Sequence, residues 1–232
     1  MKSKKILIFS IIILLICTCT ESNFDGVDET TKWFQGGNNA GDKKEYDKAI
    51  ECYQKAIEID PDYGGAYKGM GTAYFYKENY EKAIECYQKA VDIDPEDAGA
   101  YNNMGLAYSN KGNDDKAIEC YQKAIEIDPD YAAAYYNMGL AYSNKGNHDK
   151  AIECYQKAIE IDPDLAAAYY NMGNLNYRKR KKTTAADNWY QAGLLYLEQN
   201  NRQLVLQTID AMKNFVPESP LIQKLMDKLY KE

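Results

Sequence analysis

Apolar and polar positions along this chain follow two helical rhythms that take turns. In residues 98–131, Ala100, Tyr101, Met104, Ala107 and Tyr108 recur at the spacing of one helix face, and Ala117, Ile118, Tyr121, Ala124 and Ile125 do so again further on. Lys111-Gly112-Asn113 interrupts the two stretches. Gly112 suits a left-handed helix end, and Asp114 or Asp115 is expected to cap the helix that follows. Pro129 cannot continue that helix and sets the next turn. The pattern predicts a helix–turn–helix hairpin, and the hairpin repeats. Pro61, Pro95, Pro129 and Pro163 stand 34 residues apart, each preceded by the same AIECYQKA stretch. Residues 104–128 and 138–162 differ only at Asp114 versus His148. A period of this length defines a repeat architecture. Beyond residue 180 the pattern predicts helices over 184–198, 202–214 and 219–231, the last carrying Leu221, Leu225 and Leu229.

Four positions of the repeat are filled almost uniformly. The fourth holds Trp33, Tyr67, Tyr101, Tyr135 and Tyr169, and the eighth holds Gly37, Gly71, Gly105, Gly139 and Gly173. The twentieth holds Ala49, Ala83, Ala117, Ala151 and Ala185, and the twenty-fourth holds Tyr53, Tyr87, Tyr121, Tyr155 and Trp189. Small residues let two helices approach closely while the aromatic rings fill the space between them. The sequence resembles the tetratricopeptide repeat family over residues 30 to about 219. That resemblance implies an all-α, right-handed superhelical solenoid of five to six helix hairpins with a C-terminal capping helix. The expected divisions are 30–63, 64–97, 98–131, 132–165 and 166–199, followed by degenerate capping helices over 200–232.

Both ends depart from the pattern. The first helix contains Gly36, Gly37 and Gly41. An interior glycine costs about 1 kcal/mol in a helix, so this end is expected to fray. Near residue 185 the phase slips. Trp189, Gly193, Tyr196 and Pro217 fit a repeat starting at Ala186, whereas Ala185, Trp189 and Ala192 fit the second helix of the preceding one.

Ahead of the repeats, Lys2, Lys4 and Lys5 precede an apolar run from Ile6 to Ile16. A basic start and a short apolar run read as an export signal over residues 1–18. The run falls short of the roughly 20 apolar residues a bilayer-spanning helix needs. Leu14-Leu15-Ile16-Cys17-Thr18-Cys19 resembles a bacterial lipoprotein signal, with Cys19 the better acceptor and Cys17 the alternative. The resemblance implies an exported, lipid-anchored protein of the cell envelope, joined to its anchor by a polar tether over residues 19–29.

In repeats of this family the first helices line a concave groove. The resemblance implies that Lys68, Thr72, Phe75, Asn102, Leu106, Tyr136, Leu140, Tyr170, Asn174 and Tyr177 face it, with Asn103, Asn137 and Asn171 beside them. An amide both donates and accepts, so three aligned asparagines are suited to holding an extended peptide by its backbone. The alternative is that they bond to the neighbouring helix. Rigid tyrosines supply contact area that interfaces favour. The carboxylate clamp of co-chaperones in this family is not expected, because only Lys68 and Asn103 fall in its places.

The remaining chemistry is sparse. Cys52, Cys86, Cys120 and Cys154 occupy one position of successive repeats. Stacked helices lie about 8–10 Å apart and a disulfide needs Cα atoms within about 7 Å, so these thiols are expected to be unpaired filler. With a single histidine, His148, neither a nucleophile–base pair nor a metal set is visible, and no enzyme activity, metal, cofactor or small-molecule substrate is expected. Glu51–Lys55, Glu85–Lys89, Glu119–Lys123 and Glu153–Lys157 are spaced as i,i+4 ion pairs on a solvated face. Lysine and arginine number 28 against 35 acids, for a net charge of −7, which disfavours nucleic acid as a partner. The one basic cluster, Arg178, Lys179, Arg180, Lys181 and Lys182, is suited to an anion, an acidic partner or a lipid headgroup. The expected partners are other proteins, bound as extended segments or helices. A solenoid that assembles with itself, or a regulatory subunit, is the alternative.

Overall fold

A computed structural model describes residues 28–230. Cys17, Cys19 and the rest of the amino-terminal segment lie outside the described residues. Twelve helices and no strand are present among the described residues. They form five hairpins: α1 Glu29–Asp42 with α2 Tyr46–Ile59, α3 Gly64–Tyr76 with α4 Tyr80–Ile93, α5 Ala98–Asn110 with α6 Asp114–Ile127, α7 Ala132–Asn144 with α8 His148–Ile161, and α9 Ala166–Arg178 with α10 Lys182–Glu198. Then α11 Arg202–Phe215 and α12 Leu221–Leu229 close the end. Each helix packs on its neighbours in sequence, which makes an all-α helical repeat solenoid.

The turns follow from local chemistry. Within each hairpin, one residue adopts a left-handed backbone: Lys44, Glu78, Gly112, Gly146 or Arg180, with φ between 59° and 78°. Only two of the five are glycine, so the other three carry strain at a position tightly fixed by its neighbours. The cap of the second helix is an asparagine, not the expected Asp114 or Asp115. Asn79, Asn113 and Asn147 accept from the amides of Lys82, Lys116 and Lys150. Asp114 instead accepts from the Ser109 hydroxyl at 2.8 Å. Between hairpins, Asp60, Asp94, Asp128 and Asp162 each accept the amide two residues on at 3.1 Å, a turn that the intervening proline pre-sets.

The hairpin core is a glycine facing a ring. A Cβ added at Gly37, Gly71, Gly105 or Gly139 would stand 2.5–2.8 Å from the ring of Tyr53, Tyr87, Tyr121 or Tyr155. Gly173 faces Trp189 in the same way, at 2.6 Å. Ala49, Ala83, Ala117, Ala151 and Ala185 are fully buried beside them. This contact also resolves the phase near residue 185. Trp189 takes the tyrosine's place, so α10 is the second helix of the fifth hairpin, at 17 residues rather than 14. Gly193 then receives Leu225 of α12.

The first helix is continuous rather than frayed. Asp28 caps it, accepting the Thr31 amide at 3.0 Å. Gly37 belongs to the close approach on Tyr53, and Gly36 packs at ordinary distance from Cys52. Only Gly41, among the three, faces open space. The expected i,i+4 pairs give way to i,i+3 pairs in two repeats, Lys123 to Glu126 and Lys157 to Glu160, where the ammonium leans toward the negative helix end.

Candidate functional site

The first helices α3, α5, α7 and α9 bring the predicted groove residues to one face, but many are already engaged. Lys68 donates to Asp97 at 2.6 Å, and Asp97 also caps α5 through the Ala100 amide. The Thr72 hydroxyl donates to the Lys68 carbonyl and accepts from Tyr87. Phe75 packs edge-on against Tyr76 and Tyr80. Asn102 corrects the expectation: it is buried, and its side chain bonds internally. Its carbonyl oxygen accepts from Asn137 at 2.9 Å, and its amide donates to Asn103. Asn171 donates to the Tyr136 hydroxyl at 3.2 Å. The asparagines therefore stitch successive hairpins together, sixth position to fifth. Asn137 and Asn171 each spend an N–H on the neighbour, and their carbonyl oxygens have no partner among the described residues.

A second pattern runs across this face and was missed from the sequence. The polar tip of the twenty-fourth residue reaches the ninth residue of its own hairpin. Tyr53 donates to Asn38, Tyr87 to Thr72 and Trp189 to Asn174. The middle hairpins have Leu106 and Leu140 at that position, which accept nothing. The Tyr121 and Tyr155 hydroxyls thus have no hydrogen bond among the described residues. Both side chains are almost fully buried, each 1% exposed. Burial of their rings pushes both phenols well above the ordinary tyrosine range, which keeps them protonated donors. The alternation of Asn38, Thr72 and Asn174 with two leucines was the available signal.

Toward the C-terminal end the face becomes aromatic. Tyr136 packs on Tyr155 with ring centroids 5.7 Å apart, and Tyr177 packs on Phe215 at 4.7 Å. Tyr170 is half-buried, and the Tyr196 phenol is raised first by burial and then by nearby Tyr136 and Tyr170.

The basic cluster is smaller than its sequence. Lys179 is paired with Asp149, one of four equivalent clips between successive hairpins. The others are Lys77 to Asp47, Lys111 to Glu81 at 2.7 Å, and Lys145 to Asp115. Arg178, Arg180 and Lys182 make no ion pair among the described residues. Cys52, Cys86, Cys120 and Cys154 are buried and form no disulfide, with thiols pushed up to about 11, 12 and 11 at the last three by burial. Such thiols are poor nucleophiles. Among the described residues no group of His, Cys, Asp and Glu is arranged to hold a metal, and no helix is long and apolar enough to cross a membrane.

A stack of two-helix units joined through glycine–aromatic contacts, with its first helices on one face, defines the class of helical-hairpin repeat solenoids. Family models for the tetratricopeptide repeat match residues 37–75, 71–112 and 110–146, then 132–165 and 154–186. The chain belongs to the tetratricopeptide repeat family. The crystal structure of MamA is similar at 32% identity and a TM-score of 0.66, over 71% of this chain and 96% of that one. PilF of Pseudomonas aeruginosa is similar in fold, with a TM-score of 0.64, 19% identity, and coverage of 86% and 97%. So is YrrB, described as a TPR protein with an unusual peptide-binding site, with a TM-score of 0.53, 23% identity, and coverage of 86% and 98%. No curated protein matches the chain significantly.

Proposed function

We propose that this protein is a non-catalytic interaction scaffold of the cell envelope, binding extended segments or helices of partner proteins on the face made by its first helices. The observation that carries this reading is the unspent hydrogen-bonding capacity at the centre of that face. The carbonyl oxygens of Asn137 and Asn171 are unused acceptors on half-buried side chains, on the same helices as half-buried Leu106 and Leu140. A peptide backbone presents the complementary groups at every residue. Leucine and tyrosine supply apolar area without mobile charged side chains to order, which limits the entropy cost of binding. The rigidity of the face follows from the asparagine stitches beneath it. YrrB, with its peptide-binding site, has the same fold at an identity that speaks to fold alone.

The envelope location rests on the sequence of residues 1–19, with Cys19 as the lipid acceptor and Cys17 as its alternative. Labelling with a fatty-acid analogue, lost in Cys19→Ala, supports that location. Labelling that persists moves the acceptor to Cys17. The groove is tested by capturing partners from solubilised envelope with the tagged full chain, beside a Leu106→Glu, Leu140→Glu variant of equal helicity. Partners lost in the variant are groove ligands, whereas partners retained equally remove the groove from the reading. An Asn102→Ala change is a poor test, because that residue holds α5 to α7.

A further inference from the structure

The first helices carry almost no charge. α5 Ala98–Asn110 and α7 Ala132–Asn144 contain no charged residue, in a chain with 28 basic and 35 acidic ones. α3 contributes only Lys68, which is paired with Asp97, and α9 only Arg178, its last residue. The second helices α6 and α8 of the same hairpins carry Asp, Glu and Lys instead. The uncharged face is also periodic. Residues 103–110 and 137–144 are identical in sequence. Half-buried Leu106 and Leu140 therefore recur one repeat apart, and so do the unused carbonyl oxygens of Asn137 and Asn171. α5 and α7 are neighbours on this face, since Asn137 donates to Asn102 at 2.9 Å. Neighbouring helices pack about 8–10 Å apart.

Resting on the groove reading above, we propose that this face binds an uncharged segment in the polyproline II conformation, with an aliphatic side chain at every third residue. Charge is excluded first. A cation or a carboxylate brought against α5 and α7 would lose water and meet no counter-ion, which costs free energy whatever its sign. The hydrogen bonds exclude a helical ligand. Asn137 and Asn171 offer acceptors, and the amides of a helix are spent on its own carbonyls. A polyproline II segment has no internal hydrogen bonds, so its N–H groups are available. The spacing excludes a β-strand, whose side chains return to one face at about 7 Å and then at about 13 Å. Polyproline II returns every three residues, at about 9 Å, which fits the step between neighbouring first helices. Half-buried Tyr136 and Tyr170 add aromatic walls, the surface on which such segments dock.

The test uses the full chain in mild detergent and a fluorescent, end-capped peptide of four Leu-Ser-Pro units, followed by anisotropy. Proline holds each unit near the polyproline II conformation and leaves the Leu and Ser N–H groups free. Saturable binding is expected, nearly unchanged between about 50 mM and about 500 mM salt, because no ion pair contributes. Peptides of four Leu-Glu-Pro units and of four Leu-Lys-Pro units are each expected to bind at least about tenfold more weakly, since an unpaired charge discriminates against both. A scramble of the first peptide, with its leucines two and four residues apart, is expected to weaken similarly. The Leu106→Glu, Leu140→Glu variant, checked by circular dichroism to be equally helical, is expected to lose the peptide. No binding of the Leu-Ser-Pro peptide overturns the proposal. So does a scramble that binds as well, and so does binding retained in the variant. A Leu-Lys-Pro peptide that binds more tightly, with strong salt dependence, also overturns it, because the acidic chain then selects by net charge. The groove reading is decided separately, by the partners captured from solubilised envelope. Partners lost in the same variant while the peptide fails to bind leave the groove standing and refute only this ligand.

Discussion

The five hairpins and the C-terminal cap solve the same packing problem with different materials. In each hairpin a glycine lets the first helix lie directly on the ring of Tyr53, Tyr87, Tyr121, Tyr155 or Trp189. The backbone itself is one wall of the core. In the cap, Val205, Ile209, Met212, Leu225 and Leu229 interlock through flexible aliphatic side chains, with Trp189 carried in from the last hairpin. A ring against backbone has no way to give, whereas aliphatic chains repack. The repeats are therefore built for a fixed helix spacing, which sets the geometry of the face made by the first helices. The cap is built to end the stack by burying apolar surface that a further repeat would otherwise cover.

The largest expected effect breaks the cap. Leu225 is fully buried and fills the notch at Gly193. Leu225→Ala removes it and leaves a cavity, at a cost of about 3 kcal/mol, within the usual range for such changes. Trp189 and Trp33 lie at opposite ends of the described stack. In a Trp33→Phe background, urea unfolding followed by Trp189 fluorescence should precede the loss of far-ultraviolet helicity. Coincident transitions would show that cap and repeats melt as one unit.

The next effect tests the ring joint. At Gly139 a Cβ would stand 2.6 Å from the Tyr155 ring. Gly139→Ala gains helix propensity of about 1 kcal/mol but overpacks a contact that costs more, for a net loss of roughly 1–2 kcal/mol by thermal or urea melting. Gly41→Ala has the opposite sign. Nothing lies within 4 Å of a Cβ there, and the backbone is not left-handed. A gain of about 0.5–1 kcal/mol is expected. Two glycines of one repeat family should thus move stability in opposite directions. If both destabilise, glycine is retained at Gly41 for a reason other than space.

The fold was legible because the period in the sequence is the period of the structure: Gly105, Ala117, Tyr121 and Pro129 each mark one contact or turn. What misled was local. Asp114 has the chemistry of a cap, but the adjacent Asn113 takes the role and leaves Asp114 to Ser109. Three glycines in one helix suggest fraying when counted alone, yet Gly37 exists for Tyr53, a residue 16 positions away. The groove was half legible. A family resemblance puts Asn102 and Asn137 on the same face, but whether an amide bonds to a ligand or to its neighbour depends on a helix 35 residues distant.

The smallest effect separates the clipped junctions from the unclipped one. Glu81 and Asp149 are exposed carboxylates held below their usual range, first by hydrogen bonds from Lys111 and Lys179 and then by the nearby charge. A carboxyl whose folded value lies below its unfolded value stabilises the fold above the unfolded value, about 4 to 4.5, and loses that contribution as pH falls through the folded value. Lys145 is raised by Asp115, so its contribution holds at neutral pH and fades only as pH rises through the lysine range. Acidification from about pH 6 to about pH 3 should therefore loosen the junctions clipped by Glu81 and Asp149 and leave the cap junction unaffected by this route. Hydrogen exchange at both pH values, with Glu81→Gln, Asp149→Asn as the reference, reads this directly. The wild-type chain should gain exchange in α4 and α8 beyond that of the variant, and added salt should shrink the difference between the two at neutral pH, because exposed pairs are screened. Equal gains in both chains would mean that the clips record the repeat spacing without helping to set it.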